Sequence, residues 1–167
     1  MNKTLKAWNA GFVRRWHTHP QLCDTVDYDS GHQQRVAILM LSFWSDASRA
    51  AIVASIIHDQ GECDAGDMAR PAKQKHPEIG AMLHDVEMDS IKAQGFDFPE
   101  LTDEEEQMLA ACDTLDCYAW MIRYKPHLRL RQDWKDLLDH MRHSFAKLGR
   151  LIELDTFLSA LYAAYLP

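Results

Sequence analysis

Apolar residues along this chain recur at spacings of three and four, and almost nowhere at every second position. That period lines up one face of an α-helix, so the sequence predicts a nearly all-α fold. The expected helices run from Lys3 to Trp16, His32 to Trp44, Ala47 to about Asp59, Pro77 or Glu78 to Gln94, Thr102 to about Arg123, and roughly 131–148 and 153–165. In the first of them Leu5, Trp8, Phe12, Arg15 and Trp16 fall near one side. His19-Pro20 is its expected stop, because the residue before a proline avoids helical geometry. Residues 17–31 read as a polar loop. Residues 61–77 read as a longer, highly charged one, and long ordered loops of this kind are usually functional. Thr102 followed by Glu105 has the pattern of a capping box.

About seven helices in 167 residues make one expected domain, 1–167. The net charge of -7 speaks against a chain that coats nucleic-acid phosphates, so no nucleic-acid polymer is expected as partner. An anionic ligand has to be met by a local cluster of cations. The four cysteines, at 23, 63, 112 and 117, form no Cys-x-x-Cys pair. With no secretory signal, they point to the reducing cytoplasm. No apolar run approaches the roughly 18–20 residues needed to cross a bilayer, so no membrane association is expected.

The strongest local signal for chemistry is Ile56-Ile57-His58-Asp59, where a His-Asp pair ends a run of largely apolar residues. An imidazole and a carboxylate on a core helix are costly without a partner. A divalent ion serves both, and this donor pair suits Zn, Co, Mn or Fe. His32 opens the preceding helix as the chain turns apolar, and Asp113 follows the apolar stretch Leu109-Ala110-Ala111-Cys112. Together His32, His58, Asp59 and Asp113 make a mixed nitrogen and oxygen set with open positions, the mark of a catalytic rather than a structural metal site. His140 and His143 share helical spacing but lack an acidic partner in order, so they read as a solvated face, and the acidic run Asp103 to Glu106 reads as a helix N-terminus complementing the helix dipole.

This order, His then His-Asp then Asp, resembles the HD superfamily of metal-dependent phosphohydrolases. The resemblance extends to the bacterial HD-domain 5′-deoxynucleotidases and the phage HD-domain dATP triphosphohydrolases. Their upstream Arg-Trp pair is matched by Arg15-Trp16. The Glu three residues after the His-Asp pair is matched by Glu62, and a following Gly-Asp by Gly66-Asp67. Pro71 and Lys73 match a Pro and a Lys further on, and Cys112-Asp113-Thr114-Leu115 stands for an Ala-Asp-x-Leu stretch. Thr25-Val26 replaces the usual Asn-Val, and the stretch Asp27-Tyr28-Asp29-Ser30-Gly31 before His32 is longer and more acidic than in those families.

The resemblance implies an HD-domain helical bundle with a divalent cofactor (Co, Mn, Zn or Mg) held by His32, His58, Asp59 and Asp113. It implies cleavage of the bond between the 5′ oxygen and the α-phosphorus of a deoxynucleotide. Arg15 and Lys73 would hold phosphate, while Trp16 and Pro71 would flank the base. Glu62 would do the proton work, with Asp67 orienting water or assisting the leaving group. The compact length leans to a dNTP substrate, dATP in particular, releasing triphosphate. The alternative is a 5′-deoxynucleotidase acting on dNMPs, and a more remote one is a non-catalytic nucleotide-sensing module. A homo-oligomer is expected by the same analogy.

Overall fold

The computed structural model describes residues 2–68 and 75–166. Among these the fold is all-α, with one isolated antiparallel bridge, Arg14 to Tyr28, as its only extended pairing. The helices are α1 (Lys3–Ala10), α2 (Asp29–Phe43), α3 (Arg49–Ile57), the single turn α4 (Glu62–Ala65), α5 (Pro77–Ala93), α6 (Asp103–Tyr124), α7 (Gln132–Lys147) and α8 (Leu151–Tyr165). A 3-10 turn, Pro126–Leu130, follows α6, where Pro126 cannot continue the helix. No helix among the described residues is long and apolar enough to cross a membrane. None of the four cysteines is in a disulfide. The chain divides into two units, Met1–Arg35 with Val53–Glu100 and Val36–Ile52 with Leu101–Pro167, so the unit boundaries fall inside α2 and α3.

In the first unit α1 is shorter than its periodicity suggests. Asn2 caps it, its side-chain oxygen accepting from the Leu5 amide at 3.2 Å. It ends at Gly11 because the next backbone groups are claimed from far along the chain. The Ser30 amide donates to the Gly11 carbonyl at 3.2 Å, the Asp29 amide to Val13 at 3.1 Å, and the Arg15 amide to Asp27 at 3.1 Å. A β-carbon at Gly11 would lie 3.0 Å from Ser30 Cβ, which glycine avoids. Of the residues placed near one side, Arg15 and Trp16 are buried, whereas Leu5 is exposed, Trp8 is 64% exposed and Phe12 58%. The two aromatic rings instead pack on each other edge to face, 4.8 Å apart. The loop expected over 17–31 gives way to α2 at Asp29, three residues before His32.

The long charged loop after α3 contains α4, packed closely on α5. Gly61 makes that packing possible, since a β-carbon there would fall 2.4 Å from both Cα and the carbonyl oxygen of Glu87. Lys6 Nζ reaches back to Asp64 Oδ2 at 2.5 Å and ties α1 to α4.

In the second unit α6 opens on the expected capping box. Thr102 Oγ1 accepts the Glu105 amide at 3.3 Å, and Glu105 Oε2 accepts the Thr102 amide at 2.9 Å. Ser48 at the start of α3 accepts the Ala51 amide at 3.1 Å and donates to Glu105 Oε1 at 2.5 Å. The core here is aromatic: Phe43 meets Phe145 edge to face at 4.9 Å and Trp44 stacks on Phe145 at 6.0 Å. Burying side chains of this size stabilises by about 1.5–3 kcal/mol each. The hydroxyls of Tyr118 and Tyr162 pair at 2.8 Å, and Arg142 of α7 grips Asp155 of α8 through both guanidinium nitrogens.

Candidate functional site

The first unit brings together most of the residues singled out from the sequence. His32 lies in the first turn of α2 and is fully buried. His58 continues the hydrogen bonding of α3, its amide donating to the Ala54 carbonyl at 2.9 Å, and Asp59 follows it into the turn. The His58 Nδ1 lies 3.1 Å from the Ser55 carbonyl, so Nδ1 carries the proton and donates, leaving the Nε2 lone pair for the site. His32 Nε2 is 3.2 Å from His58 Nε2 and 3.3 Å from Asp59 Oδ2, and His58 Nε2 is 3.5 Å from that same oxygen.

These separations fit a divalent cation. Tetrahedral ligands with bonds of about 2.0–2.1 Å lie about 3.3 Å from one another. With no cation bound, two imidazole nitrogens at this distance share one proton in an N–H···N hydrogen bond, which a cation would replace. Asp59 supplies the negative balance. Burial alone would raise its pKa, but His58, His32 and Arg15 together hold its carboxyl well below the usual carboxylate range.

Arg15 reaches Asp59 Oδ2 with Nη1 at 2.6 Å, and its Nε lies 3.9 Å from Asp27. Asp27 in turn accepts from Arg35 at 2.7 Å. The neighbouring Arg14 is spent on the Cys23 and Thr25 carbonyls at 3.1 and 3.2 Å, which leaves Arg15 as the arginine of the site.

Glu62 begins α4 and is buried. Burial, with the charges of Asp59, Asp29 and Asp67 adding to it and Arg15 opposing, pushes its carboxyl up to about 10. With no cation bound it therefore keeps its proton at neutral pH. Sequence reading missed its companion Asp29, which is fully buried with neither carboxylate oxygen hydrogen-bonded among the described residues. Burial and then the Asp59 charge push Asp29 up to about 8. Asp29, Asp59 and Glu62 place an oxygen each within 4.8 Å of one another, as do the ligand atoms of His32, His58 and Asp59. A local signal for Asp29 was present: it precedes His32 by three residues, on the same face of one helix turn.

Trp16 is 9% exposed and holds φ at 67°, the one non-glycine residue with positive φ among those described. For a bulky side chain this costs about 1–3 kcal/mol. Its amide donates to Asp67 Oδ2 at 2.8 Å, and the Thr18 hydroxyl donates to the Asp67 carbonyl at 3.3 Å. The Arg15 guanidinium carbon lies 5.3 Å from the Trp16 ring centroid, and His19 meets that ring edge-on at 5.6 Å. The Trp16 indole nitrogen is buried without an acceptor among the described residues.

Asp113 lies half-buried on α6, in the second unit, with its Oδ1 4.0 Å from Cys117 Sγ. Pro71 and Lys73 lie outside the described residues. Chemically, the assembled set combines a nitrogen and oxygen cation cradle, a guanidinium, a carboxyl that carries its proton and a flat apolar wall. No family model, curated protein or solved structure matches the chain, so the meaning of this site rests on its own residues.

Proposed function

We propose that this protein is a metal-dependent phosphohydrolase of deoxynucleotides. It would cleave the bond between the 5′ oxygen and the α-phosphorus of a dNTP, dATP in particular, leaving deoxynucleoside and triphosphate. The reading is carried by one observation: two imidazole nitrogens and a carboxylate oxygen, from two separate segments, converge within 3.5 Å of one another beside Arg15. Asp113 as a further ligand, and Pro71 and Lys73 as substrate contacts, come with the HD resemblance.

His32, His58 and Asp59 would hold a divalent ion, which would lower the pKa of a water and offset phosphoryl charge. Arg15 then binds phosphate oxygens through its planar fork. That needs little movement, because its guanidinium already borders the cradle at Asp59. With no cation bound, Glu62 holds a proton on a buried carboxyl next to an ionised one. Neighbouring carboxyl groups with pKa values driven apart are the arrangement that separates an acid from a ligand. Glu62 therefore donates to the departing 5′ oxygen, and the Trp16 ring bounds the base. Phosphoryl transfer depends chiefly on such positioning and charge.

The test is a panel of each dNMP and dNTP with Mn, Co, Zn or Mg, with products resolved by ion exchange. Triphosphate released from a dNTP is the expected result. Phosphate from dNMPs alone would replace it with the 5′-deoxynucleotidase alternative. No turnover of any nucleotide with any ion would refute the hydrolase and leave a nucleotide-sensing module to be tested by binding. Light scattering on the same sample reads the homo-oligomer that the resemblance implies.

A further inference from the structure

Asp67 sits just beyond the C-terminus of α4, turned off it by Gly66, whose φ is 80° and whose amide donates to the Glu62 carbonyl at 2.7 Å. One helical turn thus carries Glu62 at its start and Asp67 past its end. Asp67 is near enough to the cradle for its carboxylate charge to act on Glu62 and Asp29, but its bonds run to the Trp16 segment. Its Oδ2 is occupied by the Trp16 amide at 2.8 Å, and its carbonyl by the Thr18 hydroxyl at 3.3 Å. Both bonds join the same two segments, about fifty positions apart along the chain, and the first falls on Trp16, the one non-glycine residue among those described that is held in a left-handed conformation.

That conformation has a use. Arg15 and Trp16 are consecutive, and the left-handed turn between them lets the Arg15 side chain reach Asp59 while the Trp16 ring stays packed against the same guanidinium. An ordinary φ at Trp16 would redirect the ring or the arginine. A backbone strain of this kind persists only where surrounding groups over-determine it.

We infer that Asp67 is a positioning residue, whose carboxylate staples the Trp16 main chain in the left-handed turn that sets the Trp16 ring and the Arg15 fork for the nucleotide, and that it moves no proton in the reaction. The inference rests on the phosphohydrolase reading and replaces the water-orienting or leaving-group role that the family resemblance implies for this position.

The experiment compares Asp67→Asn with Asp67→Ala in the full chain. Asparagine keeps an oxygen to accept the Trp16 amide but cannot exchange a proton, and alanine keeps neither. The readouts are kcat and KM for the dNTP that the wild type cleaves, the pH–rate profile, Mn2+ affinity, and hydrogen exchange of the Trp16 amide. Asp67→Asn is expected to hold kcat/KM and amide protection close to wild type and to keep both limbs of the pH profile, with the Glu62 limb moved to lower pH by loss of the Asp67 charge. Asp67→Ala is expected to expose the amide, raise KM and lower kcat/KM roughly 10- to 100-fold at unchanged Mn2+ affinity. Equal losses in both variants, on the order of 10²–10⁴-fold and with one limb of the pH profile gone, would overturn the inference by making Asp67 an acid or base. Wild-type kinetics in both would overturn it by making the staple idle. If Asp67→Ala does not fold, Asp67→Asn decides alone, since an acid or base cannot survive that exchange. If the wild type turns over no nucleotide, the hydrolase reading fails separately. The staple is then judged by the Trp16 amide: unchanged exchange in Asp67→Ala would overturn it.

Discussion

Replacing Gly61 by alanine tests how the site is anchored. The added carbon would meet the Glu87 main chain at 2.4 Å from Cα, 2.4 Å from the carbonyl oxygen and 2.6 Å from the carbonyl carbon. Ordinary contact between such atoms is about 3.5 Å, so the overlap is about 1 Å. No rotamer change relieves it, because every atom struck belongs to the backbone of α5. The turn carrying α4 has to move away from α5 by about that distance. Overpacking costs about 1–3 kcal/mol, and a clash with main chain belongs at the upper end. For a chain of this size each kcal/mol lowers Tm by about 2–4 °C, so a fall of roughly 6–12 °C is expected at 3 kcal/mol. Glu62 is the next residue and would be displaced with the turn. A misplacement of about 1 Å costs on the order of 100-fold in rate. The assays are thermal melting by circular dichroism and turnover of the wild-type substrate. A Tm within a degree of wild type would refute the packing of α4 on α5, and with it the stated reason why Glu62 stands where it does.

Other outcomes follow from the same structure. Asp59→Ala removes the carboxylate that balances His32, His58 and Arg15, and calorimetric titration should show Mn2+ binding lost, whereas Glu62→Gln should keep Mn2+ and lose turnover by roughly 10²–10⁴-fold. Full activity in Glu62→Gln would remove Glu62 from the proton work. Thr102→Ala deletes one half of the α6 capping box and should cost about 1 kcal/mol in a denaturant melt, with an unchanged melt showing that the cap contributes nothing. The Lys6–Asp64 pair predicts a pH signature, chiefly through its own hydrogen bond, which lowers the Asp64 pKa and raises that of Lys6. Its stabilisation is present between the two ordinary values. It disappears as pH falls through the depressed Asp64 value or rises through the elevated Lys6 value. Asp64 is 44% exposed and the pair lies at the surface, so solvent screening keeps the contribution to at most about 1 kcal/mol, read as the difference between wild-type and Lys6→Met melts at neutral and acid pH. A difference independent of pH would refute the pairing.

Much of the helical layout is legible in the residues because its signals are local. The capping box at Thr102 and Glu105 acts across three residues, and the burial of Val36, Met40 and Phe43 on α2 repeats their spacing in the chain. His58-Asp59 stands out for the same reason, as polar chemistry at the end of an apolar helix. The end of α1 is not legible, since helical period continues past Gly11 while backbone bonds from Asp29 and Ser30 claim the carbonyls there.

The sequence by itself determined the helical class, the capping box of α6 and the His-Asp pair, because each depends on neighbours within a turn or two. Tertiary structure alone decided that Asp29 is buried beside Asp59 and Glu62, that Arg15 rather than Arg14 serves the site, and that Trp16 is held left-handed by Asp67. Those arrangements oppose local preference, one by burying carboxyl groups together and one by straining a backbone. Such states exist only when contacts between distant segments outweigh what each residue would adopt alone.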